Sequence, residues 1–305
     1  MSRRRIGSRR LIAFYRGDPV TARAQLAHRR RRGDTPPPLA PLLLPPEEVS
    51  GVRHSFYGAM VLWVLGYADQ AQHWGQDELA RAQQGEQTPS LASAHLFAAI
   101  LAQHRRDVAA AQASAEATMA LATAQGLAHR VAQGQIMQGW ARAMQGDAAT
   151  GVAQIAQGWE AVQQLGQQLY RPYQLALLAE AYGQAGHPEA GLPCLAEAVT
   201  LVAATEERWW AAEVSRLQGE LLLCLPRPDL PQATACFHQA LDVARRQQAR
   251  MLELRAALSL SRLWQQQGKR AEAYELLAPI YGWFTEGFDT ADLQEAKALL
   301  AELGG

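Results

Sequence analysis

Lysine is almost absent from this chain: of its 29 basic residues only Lys269 and Lys297 are lysine, and the rest are arginine. Cysteine is nearly as scarce, with Cys194, Cys224 and Cys236 at irregular spacing. Three such residues cannot build the disulfide framework of a small secreted domain, and they read as reduced, small core residues of a cytoplasmic protein. No run of about eighteen apolar residues occurs, which excludes a membrane-spanning helix. Behind the basic N-terminus the only apolar stretch is "LIAFY", too short for the apolar region of a signal peptide. Valine, isoleucine and threonine are sparse beside alanine, leucine and glutamine. That balance favours helix, because unbranched side chains lose little rotamer freedom there.

Chemistry-bearing motifs are missing as well. No G-x-x-x-x-G-K-[ST] phosphate loop is present: Lys269 follows Gly268 but lacks the glycine spacing and the hydroxyl residue. No G-x-S-x-G elbow occurs, and no paired aspartates of the kind a nucleotide cyclase uses for metal. The histidines, His28, His54, His73, His95, His104, His129, His187 and His238, are scattered. Cys236 and His238 are two apart and cannot share one helix face, so no metal ligand set forms. Carboxylates mostly come singly, as Glu180 does in "LALLAEAYG", and such isolated ones are expected on solvated faces. These absences predict no enzyme activity, no cofactor and no metal.

Charge is balanced at 29 basic and 29 acidic residues but unevenly placed. Met1 to Asp34 holds eleven arginines against Asp18 and Asp34, which leaves 18 basic and 27 acidic residues for the remainder. An arginine-rich arm can meet an anionic surface. The rest of the chain has no regular basic row, so a solvated arm is expected and nucleic-acid binding is not. "TPPPLAPLLLPP" (Thr35 to Pro46) follows, a proline-rich linker that disfavours helix.

What the chain has is a repeat. Small residues stand at Ala59, Ala99, Gly139, Ala179 and Gly219, each forty apart, and then at Ser261 after forty-two. Turn positions follow seven later at Gly66, Arg106, Gly146, Gly186 and Gly268, and further small residues at Ala71, Ala111, Gly151, Gly191, Ala233 and Ala273. The extra two residues lie in "CLPRPDLPQA", and a weaker copy near the start, "FYRGDPVTARAQL", carries Gly17 and Ala22. Each unit reads as two helices. Leu175, Leu178, Ala179 and Tyr182 recur at helical spacing before Gly186, and Leu192, Leu195, Ala196 and Val199 after it. Pro188 suits a first helical turn, and Gly186 a left-handed helix ending. One hairpin cannot bury its apolar face alone, so such units stack.

A small residue, a turn glycine seven later and an alanine five beyond resembles the tetratricopeptide skeleton, lengthened from about 34 residues. "RPYQLALLAEAYGQAGHPEAGL", "ERWWAAEVSRLQGELLL" and "LAPIYGWFTEGFDTADLQEAKALL" further resemble the C-terminal repeat region of bacterial signalling proteins. Those proteins carry a class III adenylate or guanylate cyclase or another effector, then a signal-transducing ATPase, then repeats. The resemblance covers about Pro46 to Leu303. It implies an all-α fold, a right-handed α-solenoid of tetratricopeptide-like hairpins with a period of 40 residues. The expected organisation is a basic arm, degraded first repeat and linker over 1–45, then the solenoid over 46–305 with a C-terminal capping helix.

In such arrays the first helices line the concave face. The residue after each small position then gives a row of Met60, Ile100, Trp140, Glu180, Glu220 and Arg262, flanked on the same faces by Ile136, Tyr173, Glu213, Arg216, Arg255 and Leu258. An apolar half grading into a charged half suits a peptide or a partner helix; packing of the interior is the alternative for Met60, Ile100 and Trp140. Trp209 and Trp210 are adjacent, so at most one is expected to face the core. The function expected is a non-catalytic scaffold or sensor that binds a protein or peptide segment, with a cyclase or ATPase as effector. The alternative is a fragment of such a multidomain protein whose catalytic domains lie outside this chain.

Overall fold

The computed structural model describes residues 13–30, 51–84, 88–167 and 169–304, and every regular element among them is α-helical. The basic stretch before residue 13 and the proline-rich linker lie outside the described residues. After a short turn at Gly17, α1 runs Pro19–Arg30. Its start is capped by Asp18, whose carboxylate accepts from the Thr21 N–H at 2.9 Å. Then come α2 (Gly51–Val64), α3 (Ala68–Gln84), α4 (Thr88–His104), α5 (Val108–Ala124), α6 (Ala128–Met144) and α7 (Ala148–Gln164). The C-terminal half holds α8 (Arg171–Gln184), α9 (Pro188–Thr205), α10 (Ala211–Leu223), α11 (Leu230–Gln247), α12 (Arg250–Gln266), α13 (Arg270–Tyr281) and α14 (Ala291–Gly304). The second helices of successive hairpins begin at residues 68, 108, 148, 188, 230 and 270, intervals of 40, 40, 40, 42 and 40.

The hairpin turns repeat one hydrogen-bonding solution. At Gly146 the backbone turns left-handed at φ 99°, and the next N–H, of Asp147, reaches back to the Arg142 carbonyl at 3.1 Å. The same bond runs from His187 to Tyr182 at 2.9 Å and from Lys269 to Trp264 at 2.9 Å. It satisfies a carbonyl that the helix end would otherwise leave bare. Arg106 adopts the same conformation without being glycine, at φ 60°. A second left-handed series closes the second helices, at Gly126, Gly166, Glu206 and Gln248, and only its first two members are glycine.

The chain divides into two compact units, residues 1–63 with 70–168, and residues 64–69 with 169–305. In the first unit α6 packs against α7 by direct backbone approach. A Cβ placed on Gly139 would lie 2.8 Å from the Gly151 carbonyl oxygen, and one on Gly151 would lie 2.6 Å from the Gly139 carbonyl oxygen. Trp140, Ile136 and Ile155 fill the layer around that contact. In the second unit the equivalent meeting of Ser261 with Ala273 is a hydrogen bond, Ser261 Oγ donating to the Ala273 carbonyl at 3.1 Å. Leu195, Phe237, Leu254, Leu260 and Leu277 make its core, and α14 adds Leu293, Ala296, Leu299 and Leu303. Also within this unit Tyr67 meets Trp283 edge-on, and the Gly287 N–H donates to Asp69 at 3.1 Å.

Three expectations need correction. Trp209 and Trp210 are both buried. They stand in the turn that enters α10, not on the helix, so successive side chains are not forced 100° apart around an axis. Carboxylates are not confined to solvated faces: Glu78, Glu207, Glu213, Glu253 and Asp292 are buried, four of them held by arginine and Glu207 by N–H donors. The cysteines are free, but only Cys236 is buried, while Cys224 is exposed.

Candidate functional site

In the second unit the first helices of successive hairpins, α8, α10 and α12, lie side by side, and α14 continues the row. The last three put polar stripes on the same face, because i, i+3, i+4 and i+7 share one side of a helix, and α8 adds Glu180. On α10 the stripe is Glu213, Arg216 and Glu220. On α12 it is Arg255, Ser259 and Arg262, and on α14 it is Asp292 and Glu295. Tyr173, Glu213 and Arg255 occupy one repeat position, and Glu180, Glu220 and Arg262 another, so helix register alone brings them into rows.

The stripes join into one ladder that runs from buried to open. At the buried end Arg255 grips Asp292 with two nitrogens, Nε to Oδ1 at 3.1 Å and Nη2 to Oδ2 at 2.9 Å, and reaches Glu213 with Nη1 at 3.3 Å. In the middle Arg216 holds Glu213 in a two-point contact, Nε to Oε2 at 3.0 Å and Nη2 to Oε1 at 2.8 Å. Its Nη1 turns the other way, to Glu220 at 3.1 Å, where the Ser259 hydroxyl also donates. At the open end Arg262 pairs with Glu295 at 2.7 Å, both partly exposed. Glu180, Arg216 and Glu220 are half-buried and Arg262 is exposed.

Burial by itself would make both inner guanidiniums easier to deprotonate. For Arg216 that is outweighed by Glu213, then by Glu220 and Glu180, and for Arg255 by Asp292, then Glu213, so both stay firmly charged. The Tyr173 phenol is pushed well above its ordinary range, first by burial and then by Glu180, with Arg255 opposing. Taking Glu180, Glu213, Glu220, Asp292 and Glu295 against Arg216, Arg255 and Arg262, the face carries five carboxylates and three guanidiniums. A surplus of two negative charges remains.

The apolar members of the expected row have a different fate. Met60, Ile100 and Trp140 are 1%, 4% and 1% exposed, and Ile136 and Tyr173 are buried too. Their large side chains sit where small neighbours let helices approach, so as placed they pack the interior and offer a ligand no surface. Sequence reasoning missed Asp292, Ser259 and Glu295. Asp292 and Glu295 follow Arg255 and Arg262 by 37 and 33 residues, because the link from α13 to α14 is not a hairpin turn of the repeat. Ser259 stands where Leu217 and Leu177 stand one and two units earlier, a polar residue in an apolar column that would have marked it. Among the described residues no group of histidine, cysteine and carboxylate side chains could hold a metal, and no helix is long and apolar enough to cross a membrane.

No protein-family model and no curated protein sequence matches the chain. Solved structures do. A Rap protein complexed with Competence and Sporulation Factor matches with a TM-score of 0.65 at 13% identity, over 98% of this chain and 78% of that one. The apo form of RapI matches at 0.56 and 10% identity, over 97% and 98%. NprR in complex with its cognate peptide NprX matches at 0.55 and 12% identity, over 99% and 82%. At such identity the likeness speaks for architecture: the chain has an all-helical, tetratricopeptide-like hairpin-repeat fold.

Proposed function

We propose that this protein is a non-catalytic binding module of the cytoplasm, a sensor or scaffold that takes a protein or peptide segment on the face of α8, α10, α12 and α14. The observation that carries this reading is the graded ladder from Arg255 and Asp292 to Arg262 and Glu295. Its innermost groups, Glu213, Arg255 and Asp292, are buried in mutual pairs, Arg216 in the middle is half-buried, and Glu180, Glu220 and Arg262 reach solvent. Preorganised charge of that kind sets register and selects partners more than it adds raw affinity. The likeness to a Rap protein complexed with Competence and Sporulation Factor and to NprR complexed with its cognate peptide supports a segment as ligand. The two surplus negative charges favour a segment with a net basic end. The resemblance of "RPYQLALLAEAYGQAGHPEAGL" to repeats of cyclase and ATPase signalling proteins supports an effector of that class as the regulated partner.

The test is selection from a random peptide library on the purified chain, followed by calorimetry of the selected peptides. Wild type is compared with Glu220→Lys and Arg262→Glu, each first shown to melt cooperatively. Basic peptides are expected, with affinity at least tenfold weaker on Glu220→Lys and a changed salt dependence on Arg262→Glu. Equal affinity for all three proteins would move the binding site elsewhere. No selected binder at all would remove the segment-binding reading.

A further inference from the structure

The link between α9 and α10 turns at Glu206, left-handed at φ 59°, and the turn drives the next side chain inward. Glu207 is only 4% exposed. Its Oε1 accepts from the Tyr170 backbone N–H at 3.0 Å and from the Trp209 indole N–H at 3.0 Å, and its Oε2 is 3.2 Å from the same Tyr170 nitrogen. Tyr170 is the residue before α8, itself left-handed at φ 69°. One carboxyl group therefore ties the start of α8 to the start of α10, the two first helices that carry Tyr173, Glu180, Glu213 and Arg216.

The surroundings are aromatic. Trp209 lies 6.2 Å from Tyr170, 5.4 Å from Tyr173 and 5.1 Å from Trp210, between ring centroids. The charged neighbours on each packed element are engaged elsewhere. Arg171 at the start of α8 pairs with Glu197 of α9 at 3.8 Å, and Arg208 pairs with Glu206 at 3.6 Å. Gln247 of α11 donates to the Arg208 carbonyl, and the Tyr173 phenol on α8 stays protonated. Among the described residues no cation stands within 4.0 Å of Glu207. Burial accordingly pushes its carboxyl up to about 7, against the opposing pull of the indole and then the backbone donor.

We propose that Glu207 is a proton-operated latch that couples the acidity of the surroundings to the seating of α8 against α10. With a proton on Oε2, the group is neutral and Oε1 still accepts from both N–H donors, so the latch holds. As a carboxylate it keeps the donors but buries a charge with no cation beside it, and the link opens more readily. In the open link the group returns to its ordinary value of 4.5. The closed latch is therefore favoured as pH falls from about 7 toward 4.5, and that advantage is gone once pH rises through 7. Tyr173 packs tilted against Trp209 and edge-on against Trp210, so the motion is delivered to the charged face. The latch is a property of the fold and stands whether or not that face binds a peptide.

The experiment is carbon-13 NMR of the glutamate carboxyls in the full chain, read together with the Trp209 indole N–H and hydrogen exchange at the first turn of α8. The Glu207 carboxyl is expected to titrate near pH 7 with the Trp209 signal at the same midpoint. Corrected exchange at the Gln174 N–H, which bonds the Tyr170 carbonyl, should rise roughly tenfold per pH unit between about 5 and 7 and then level off. Glu207→Gln should flatten both. Trp209→Phe removes a donor to the carboxylate and should move the midpoint upward, which decides the matter if the glutamine variant does not fold. A Glu207 titrating between pH 4 and 5, or a Trp209 signal and Gln174 exchange that ignore it, would overturn the latch.

Discussion

At the scale of single residues, two glycines of the first unit make opposite demands. Gly139 needs space: its added Cβ would meet the Gly151 carbonyl oxygen and the Ile155 backbone nitrogen within 3 Å, and backbone cannot swing aside. Gly139→Val is expected to cost about 1–3 kcal/mol or more by overpacking, read as a lower midpoint in urea. Gly146 needs only conformation, since nothing lies within 4 Å of its Cβ position while φ is 99°. Gly146→Ala should cost about 1 kcal/mol from the left-handed backbone alone. Arg106, left-handed at the equivalent turn, supplies the control: Arg106→Gly should leave stability unchanged or raise it by up to about 1 kcal/mol, by thermal melt. Both glycines were legible from their 40-residue spacing. Glu206 and Gln248 were not, since a left-handed glutamate or glutamine has no compositional mark.

At the scale of elements, stability of the second unit depends on how α14 meets α12. Asp292 is 1% exposed and receives Arg255 through two nitrogens. Arg255→Met should cost about 3–5 kcal/mol, because it leaves Asp292 buried without its cation. The double variant Arg255→Met with Asp292→Leu should be less damaged than that single variant, since no buried charge is then stranded. A chemical-denaturation double-mutant cycle measures the difference. Glu207 belongs to the same scale. A carboxyl moved from 4.5 to about 7 favours folding by about 3 kcal/mol below pH 4.5, an advantage lost as pH rises through 7. Wild type minus Glu207→Gln stability, measured across pH 4.5–8, should trace that decline while the other carboxylates cancel.

At the scale of the whole molecule, the chain should neither hydrolyse ATP nor form a cyclic nucleotide with magnesium or manganese. Phosphoryl chemistry needs positioned charge around a phosphate, and the chain has no phosphate loop and no metal-binding group among its described residues. Turnover above a heat-killed control would contradict this. The helical hairpins, their turns and the two-residue insertion before α11 could be read from the sequence alone. Each is set by local rules: periodic apolar residues, a left-handed helix ending, and small side chains where backbones touch. The face could be read only in part. Glu213, Arg216, Glu220, Arg255 and Arg262 follow from register, whereas the depth at which each lies does not. Tertiary packing decided that Met60, Ile100 and Trp140 are interior and that both tryptophans of the α10 turn are buried. It also brought Asp292 to Arg255 across 37 residues of unrelated spacing and enclosed Glu207 without a cation. Burial and pairing are sums over neighbours from several helices, and a period in one chain carries no record of that sum.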